Sequence, residues 1–329
     1  YEAATGKSIA TFYEAPMLSA LVASGDLPPV VDRIGQDPQV VRPGWQIGQY
    51  GGVLRDVGGE GDAGQIIEEG QQPMAKWNPA ASIFYSNIAK YWEVSDDGHV
   101  FTLHLRRGMK WSDGEVLDAD DFVFFYDAIL SDPDVSAVSS EPRGRYRKGG
   151  DLMKIKVLDS HTVQYTFAAP YQNAAERGWA RGRSFAPEHY LKNYHIQYNS
   201  DAPSLAKEEG YDSWVDAFHS HHSDRGHTGS RPTAHRWPDL PTTDMWVLKE
   251  INPGVRFWGR NPFYWKIDTA GNQLPYADGV QVTIVEDPAG VVAAMAMQGD
   301  LDWPKNEFMD ISDMPAYRRN EVSGNYQVH

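Results

Sequence analysis

The sequence predicts an α/β protein built from more than one lobe, and three observations support this. The chain has 329 residues, whereas one hydrophobic core usually serves about 150. Runs that alternate apolar and polar residues, typical of β-hairpins, recur along the chain and are separated by apolar residues at helical spacing. The composition is globular, with 41% hydrophobic residues and a mean hydropathy of −0.53. No apolar run reaches the roughly 18 residues that a membrane helix needs.

The charge and residue content limit the class of partner. The chain has 30 Lys and Arg against 45 Asp and Glu, a net charge of −15, which disfavours nucleic acid because phosphate binding requires concentrated cations. A neutral or cationic small solute is the better match. Aromatic residues make up 12% of the chain, with 11 Trp and 17 Tyr, and such side chains suit the lining of a cleft. The absence of Cys excludes disulfides and Cys-ligated metals.

The first elements lead into a glycine-rich loop. Residues 15–23 have apolar side chains at helical spacing, which predicts a short helix. A strand is predicted over 50–57, followed by the glycine-rich segment 58–64 and a helix over 65–77. The loop lacks the G-x-G-x-x-G and Walker patterns, which argues against a nucleotide site. Because glycine lets a ligand approach the backbone closely, the loop is expected either to contact a solute or to be a plain flexible turn.

Alternating sequence patterns predict three hairpins. The clearest joins residues 92–94 to 100–106 through a turn that ends in Asp97-Gly98, and its alternation places His104 on the solvated face. The same pattern predicts a hairpin of 154–157 with 162–167 and another of 246–250 with 255–260.

Further helices are predicted between and after these hairpins. One begins at Asp118, whose side chain is expected to cap it, while Asp120 and Asp121 favour the positive end of the helix dipole. Capping explains these carboxylates without a catalytic role, because adjacent residues on a helix point in different directions. The remaining predicted elements are a helix within 186–191, a strand over 280–285 and a helix over 289–298 that ends at Gly299.

Histidines are concentrated between residues 219 and 235. They are His219, His221, His222, His227 and His235, in a polar stretch that contains Gly and Ser. Closely spaced imidazoles bind Zn, Ni or Cu, but this spacing matches no zinc finger and no H-E-x-x-H site. The stretch is expected to be a solvated loop, and His219, His221 and His222 are retained as candidate metal ligands for the alternative of a metal-binding protein.

No sequence motif points to catalysis. The chain has no G-x-S-x-G elbow, H-E-x-x-H pair or kinase signature. A glycosidase that uses two carboxylates would need a fold of many βα units with acidic residues at their ends. The hairpin-rich first half does not provide that architecture. An enzyme hypothesis therefore has no sequence feature of its own, and the sequence predicts neither catalytic residues nor a cofactor.

A series of motifs in chain order carries a resemblance to a known family. It begins with YGGVLR at 50–55, followed by residues 88–98 and FTLHLRRGMKWSDG at 101–114. It continues with residues 119–122, 162–163, 167–171, 186–191, 260–265, Asp268 with 271–278, and 299–303. Together these motifs resemble the family 5 extracellular solute-binding proteins of ABC transporters, of the oligopeptide- and dipeptide-binding type. The arm segments 15–18 and 27–30 resemble a subgroup with long N-termini, so the resemblance covers nearly the whole chain.

This resemblance implies a periplasmic-binding-protein-like α/β fold of type II with an extra subdomain. The implied parts are an N-terminal arm over 1–49, a discontinuous lobe I from 50–76 and 184–303, and an inserted hairpin-rich subdomain over 77–183. Residues 304–329 would then begin the crossover to a lobe II that is absent from this chain, because family members run well beyond the match to 299–303.

The predicted ligand contacts lie in lobe I, because the residues that grip a peptide's α-amino group belong to the absent lobe. One wall of a cleft is expected to come from the loop after the first strand, through Gly59, Glu60, Gly61, Asp62 and Gln65. Glu60 or Asp62 would pair with a peptide's ammonium group. Trp179 and Trp246 are weaker candidates, since each suits a hydrophobic core equally well. Residues 241–246 depart from the Gly-Thr-Gly-Pro-Tyr-like pattern of the family.

The function implied by the resemblance is that of the substrate-binding component of an ABC importer, which captures oligopeptides and delivers them to a membrane permease. Oligosaccharide binding is an alternative within the family, favoured by Trp and Tyr side chains that stack on sugar rings; metal-chelate binding is another. The protein is expected to be periplasmic or extracellular, with a lipid anchor as one option, and monomeric when complete. A start at Tyr1 without a signal segment is expected for a processed or trimmed N-terminus.

Overall fold

The structure is a computed structural model that describes residues 8–59, 64–78, 81–138, 145–176, 184–222, 237–303 and 309–328. Its helices are α1 (Pro16–Ser24), α2 (Val30–Arg33), α3 (Gln65–Gly70), α4 (Ala119–Phe124), α5 (Pro133–Val138), α6 (Glu188–Leu191), α7 (Ala202–Glu208), α8 (Trp214–His222), α9 (Pro288–Gln298) and α10 (Met314–Gly324). Its strands are β1 (Gln39–Val41), β2 (Val53–Gly58), β3 (Ala75–Trp77), β4 (Phe84–Ser86), β5 (Ala89–Val94), β6 (Val100–Leu105), β7 (Lys154–Asp159), β8 (Thr162–Thr166), β9 (Trp246–Asn252), β10 (Val255–Arg260), β11 (Lys266–Asp268) and β12 (Gly279–Ile284). In this part of the chain, no helix has the length and apolar character needed to cross a membrane.

The first sheet has the strand order β2-β12-β10-β9. The strands β9 and β10 form the predicted antiparallel hairpin, and β12 pairs antiparallel with β10 and parallel with β2. One face of the sheet packs on α3, where Ile66 and Ile67 contact a cluster that includes Trp258 and Val282. The predicted strands over 50–57 and 280–285 are therefore confirmed, and they lie side by side in parallel.

The second sheet has the order β5-β6-β8-β7, with all its pairs antiparallel. It confirms the predicted hairpins of 92–106 and 154–167. Alternate residues of β6 are buried, as the sequence pattern predicts, but His104 is not freely solvated. Its ring stacks on Tyr91 with centroids 4.1 Å apart, and its Nε2 lies 3.7 Å from the Glu93 carboxylate. The expectation for His104 is wrong because its neighbours on the adjacent strand cover it.

The capping predicted for α4 is confirmed. The Asp118 side chain accepts a hydrogen bond from the Asp120 N–H, and the Asp121 side chain accepts one from the Asp118 N–H, so the two residues form a capping box. Beyond α4 the chain continues as a π-helical segment over Phe125–Ser131, which the sequence pattern did not predict. The predicted helices over 15–23, 186–191 and 289–298 are present as α1, α6 and α9, and Gly299 ends α9 with a φ of 74°.

The prediction of one helix over 65–77 is wrong, because α3 ends at Gly70. A Cβ at Gly70 would lie 2.6 Å from Cδ1 of Trp246, so the helix end packs tightly on the first sheet. Beyond it, the Gln72 N–H donates to the Asp244 side chain at 2.7 Å, and Pro73 has no N–H to continue a helix. The chain then turns into β3, which pairs with β4.

The N-terminal arm is fixed to the body of the protein by Arg33. This buried guanidinium donates to the carbonyl oxygens of Pro28 and Pro262 and to the Gln273 side chain, and it pairs with Glu14. Further along the arm, β1 pairs in parallel with β11. The arm is therefore a packed part of the fold.

Hydrophobic packing connects parts of the chain that the sequence assigned to different units. The strands of the second sheet all fall within 77–183, whereas those of the first fall within 50–76 and 184–303. The largest cluster of buried side chains joins both ranges; among its members are Phe101, Trp111, Phe122, Phe185, Phe218, Tyr264 and Trp265. The proposed division into lobe I and an inserted subdomain stays a prediction.

Candidate functional site

The parallel pair β2 and β12 locates a candidate site at one edge of the first sheet. The two strands end together at Gly58 and Ile284, and the Val285 N–H donates to the Gly58 carbonyl at 2.9 Å. In open α/β sheets, ligands bind beyond the carboxyl ends of the parallel strands. We call the described residues that follow these ends the carboxyl edge: Gly59, Gly64, Gln65, Val285 and Glu286.

Two of the sequence-predicted ligand residues lie at the carboxyl edge. Gly59 and Gln65 are both half-buried, and the Gln65 amide donates to the Glu69 carboxylate at 2.8 Å. A Cβ at Gly59 would meet only ordinary contacts, with Pro288 Cγ at 3.7 Å and the Val285 oxygen at 3.9 Å. Packing among the described residues therefore does not demand glycine at position 59. Glu60, Gly61, Asp62 and Trp179 lie outside the described residues.

The carboxylate of Asp56 joins the two ends of the glycine-rich loop. Asp56 is buried in β2; its Oδ1 accepts from the Val57 N–H at 2.8 Å and its Oδ2 from the Ile66 N–H at 2.8 Å. Gly64 has a φ of 80°, and a Cβ there would lie 2.5 Å from Asp56 Oδ2. Sequence reasoning did not single out Asp56, although a charged residue inside the strand VLRDVG was the available signal.

The structure places Trp246 in the core beneath α3. Its side chain is buried with Ile66, Ile67 and Trp258, and its ring N–H has no hydrogen-bond partner among the described residues. The sequence left two interpretations of Trp246 open, a ligand contact or a core residue. The observed packing agrees with a core residue. A ligand contact by Trp246 stays an untested prediction.

Trp303 is an exposed tryptophan that was not among the predicted site residues. It directly follows Asp302, which is bound to Arg55 on β2. Arg55 donates from its side chain to both oxygens of Asp302, the Arg55 N–H donates to Asp302 Oδ2 at 2.7 Å, and the Asp302 N–H donates to the Arg55 carbonyl at 2.9 Å. Trp303 comes directly after Asp302 and is 54% exposed. An exposed indole next to a fixed residue is available for stacking on a ligand ring.

The histidine-rich stretch is not a solvated loop where the structure describes it, so that expectation is wrong. His219, His221 and His222 lie on α8 and are buried. The ring of His221 stacks between Tyr194 and Trp237, with centroid distances of 3.7 and 4.0 Å. The expectation failed because aromatic residues from distant parts of the chain cover these imidazoles. His227 and His235 lie outside the described residues.

Hydrogen bonds account for both nitrogens of His221. Its Nε2 lies 2.8 Å from the Glu209 carboxylate and its Nδ1 lies 2.7 Å from the Tyr190 hydroxyl. A neutral ring that donates from Nε2 and accepts at Nδ1 satisfies both contacts. Burial lowers the pKa of His221, against the opposing effect of Glu209. Within the described ranges, no group of three or more His, Cys, Asp or Glu side chains is arranged to hold a metal ion.

The similarity of this chain to known proteins decides its family. Residues 84–326 match the family described as "Bacterial extracellular solute-binding proteins, family 5 Middle". The chain belongs to this family. It is 30% identical over 311 residues to the periplasmic alpha-galactoside-binding protein of Rhizobium meliloti (strain 1021), a match that covers 87% of this chain and 41% of that protein.

Solved structures of family 5 proteins share the fold. The oligopeptide-binding protein OppA is 30% identical, with a TM-score of 0.84 over 99% of this chain and 50% of that chain. The periplasmic binding protein MelB of Agrobacterium fabrum C58, in complex with stachyose, is 26% identical, with a TM-score of 0.75 over 97% of this chain and 47% of that one. The predicted periplasmic-binding-protein-like α/β fold is confirmed, and the chain spans about half the length of these relatives.

Proposed function

We propose that this chain forms part of the solute-binding component of an ABC importer, which captures a small solute and delivers it to a membrane permease. The observation that carries the proposal is the family match over 84–326, supported by the likeness to OppA along 99% of the chain. The carboxyl edge supplies one wall of the binding site. Binding and delivery require no covalent chemistry, so in this proposal the protein is not an enzyme. The proposed location is the periplasm, which is where the name of the Rhizobium relative places that protein.

We propose an oligosaccharide of the α-galactoside type as the ligand. Two relatives whose matches cover 87% and 97% of this chain are named for alpha-galactosides or contain stachyose. A neutral sugar is compatible with a net charge of −15, which would not attract an anionic solute. The exposed ring of Trp303 is suited to stacking on a pyranose.

An oligopeptide is the second candidate, because the likeness to the oligopeptide-binding protein OppA covers 99% of the chain at 30% identity. In that case Glu60 or Asp62 would pair with the peptide's ammonium group, as the sequence predicts. For either ligand, the complete protein would close two lobes around the solute, with lobe I formed by 50–76 and 184–303.

Ligand-induced stabilisation tests the proposed function. The complete protein is heated alone and with stachyose, raffinose, tri-alanine or tri-lysine, with glycerol as an unspecific control. A bound ligand at 100 times its Kd stabilises the folded state by about 2.7 kcal/mol, which raises Tm measurably. We expect stachyose and raffinose to raise Tm. If only the peptides raise Tm, the ligand is a peptide and the sugar proposal is wrong. If no probe raises Tm, the protein binds neither class of ligand.

A further inference from the structure

The buried carboxylate of Asp56 is the feature that connects the carboxyl edge to the first sheet. Asp56 is 1% exposed. Removing a carboxylate from water is costly unless hydrogen bonds compensate for the lost hydration. Here the two oxygens accept the N–H groups of the next residue, Val57, and of Ile66, ten positions beyond Asp56, each at 2.8 Å. A single side chain therefore fixes both the strand that leads into the loop and the helix that follows it.

The packing at Gly64 shows how closely the chain approaches this carboxylate. Gly64 has a φ of 80°, which favours glycine, and a Cβ there would lie 2.5 Å from Asp56 Oδ2. The hydrogen bond to Ile66 sets the position of the first turn of α3, which includes Gln65 at the carboxyl edge. Hydrogen bonds to a charged acceptor are stronger than neutral ones, so the carboxylate holds this turn more firmly than an amide would.

We propose that Asp56 is the positioning residue of the solute site: by accepting the Val57 and Ile66 N–H groups, it sets the separation of Gly59 and Gln65 and thereby the affinity for solute. This inference rests on the proposed function. Asp56 is buried and acts through the backbone that it holds. Replacing it is expected to change the geometry of the carboxyl edge more than the stability of the sheet.

The central test compares Asp56→Asn with Ile66→Val in the complete protein. Asp56→Asn keeps the side-chain size but removes the charge, whereas Ile66→Val removes one buried methyl group from the same turn and keeps the carboxylate. Binding of stachyose and tri-alanine is measured by calorimetry, and Tm is measured for each variant. We expect Asp56→Asn to weaken binding about tenfold, as for the loss of one charge-assisted hydrogen bond, and Ile66→Val to weaken it less than about twofold. Equal weakening at equal loss of Tm overturns the proposal.

Amide exchange of the peptide covering 57–66 separates this inference from the proposed function. We expect faster exchange in Asp56→Asn than in the wild type, and unchanged exchange in β9 and β10. If the wild type binds no probe, the proposed function fails, and the exchange result still decides whether Asp56 fixes the loop ends. Unchanged exchange at 57–66 contradicts the inference even if binding is intact.

A double-mutant cycle with Gly64→Ala gives an independent check. The strain of a positive φ at position 64 is present in both backgrounds and cancels in the cycle. What remains is the contact between the new Cβ and the Asp56 carboxylate. We expect Gly64→Ala to weaken binding much less in an Asp56→Ala background than in the wild type. If the effects of the two substitutions on binding are strictly additive, the Asp56 carboxylate does not limit the space at position 64, which would contradict the inference.

Discussion

At the scale of single residues, Lys266 is a buried lysine whose identified contacts among the described residues include no carboxylate. Its ammonium donates to the Asn87 side chain and lies 4.8 Å from the centre of the Trp265 ring, on which the Arg106 guanidinium also packs at 5.0 Å. Burial lowers the pKa of Lys266 well below its usual value, and the charges of Lys76 and Arg106 lower it further. The folded protein therefore releases the Lys266 proton at a lower pH than the unfolded chain does.

The pH dependence of stability tests this reading of Lys266. An unfolded lysine binds its proton up to about pH 10.5, and the folded one loses it at lower pH, so stability rises as pH increases toward 10.5. Lys266→Met removes this effect. We subtract the unfolding free energy of the wild type from that of Lys266→Met. We expect this difference to become more negative as the pH rises from 7 to 10. Urea unfolding at pH 7, 8.5 and 10 measures the difference; a difference that does not change with pH would contradict a lowered pKa of Lys266.

The residues that were predictable from the sequence are those with partners close in the chain. The cap at Asp118 depends on residues two and three positions away, and the turn at Asp97-Gly98 depends on its immediate neighbours. Asp56 reaches Ile66, ten positions on, and Lys266 reaches Asn87, 179 positions away. Such partners are determined by the sheet topology, which no local pattern contains.

At the scale of elements, the N-terminal arm depends on Arg33, a buried donor to three acceptors that also pairs with Glu14. Removing one partner of a buried ion pair costs about 3–5 kcal/mol, because the other charge is left without compensation. We expect Arg33→Ala to lower the unfolding free energy by that amount in urea unfolding. Arg55→Ala is the matched control, since its pair with Asp302 is 45% exposed on the arginine side and is worth about 1 kcal/mol or less. Similar losses in both variants would contradict the anchoring role of Arg33.

The histidines around α8 make the stability of this element depend on pH. Burial lowers the pKa of His195, His219 and His221, so the unfolded chain takes up protons more readily below about pH 6.5. The stability that they contribute is present above pH 6.5 and is lost as the pH falls toward their folded values.

Replacing one of these histidines tests the effect. His219→Gln keeps an N–H donor for the Val135 carbonyl, which lies 3.1 Å from His219 Nε2, and removes the titration. We expect Tm to fall less between pH 7 and pH 5 in His219→Gln than in the wild type. Parallel curves for the two proteins across pH 5–8 would show that His219 does not contribute.

The elements differ in how far the sequence predicted them, and the reason is physical. Hairpins such as β5–β6 and β9–β10 were predictable because the alternation of side chains and the turn residues lie within one short segment. The end of α3 at Gly70 depends on contact with Trp246, and the burial of α8 depends on Tyr194 and Trp237. These contacts form only when distant segments pack, so composition alone gave the wrong result for both.

At the scale of the whole molecule, the chain spans about half the length of its relatives, while its fold matches OppA along 99% of its own length. The carboxyl edge belongs to this half. Small-molecule sites bury most of the ligand's surface, usually 70–90% of it. A site with one wall buries far less, so affinity is expected to depend on the part of the relatives that lies beyond this match.

Comparing residues 1–329 with the protein completed to the length of its relatives tests this dependence. Calorimetric titration with stachyose measures both affinities, and circular dichroism with thermal unfolding verifies that 1–329 is folded. We expect 1–329 to bind at least about a hundredfold more weakly, a difference of roughly 2.7 kcal/mol, because the ligand loses the contacts of the second wall. Equal affinity of a folded 1–329 would mean that these residues hold the entire site and would contradict the expected contribution of a second wall.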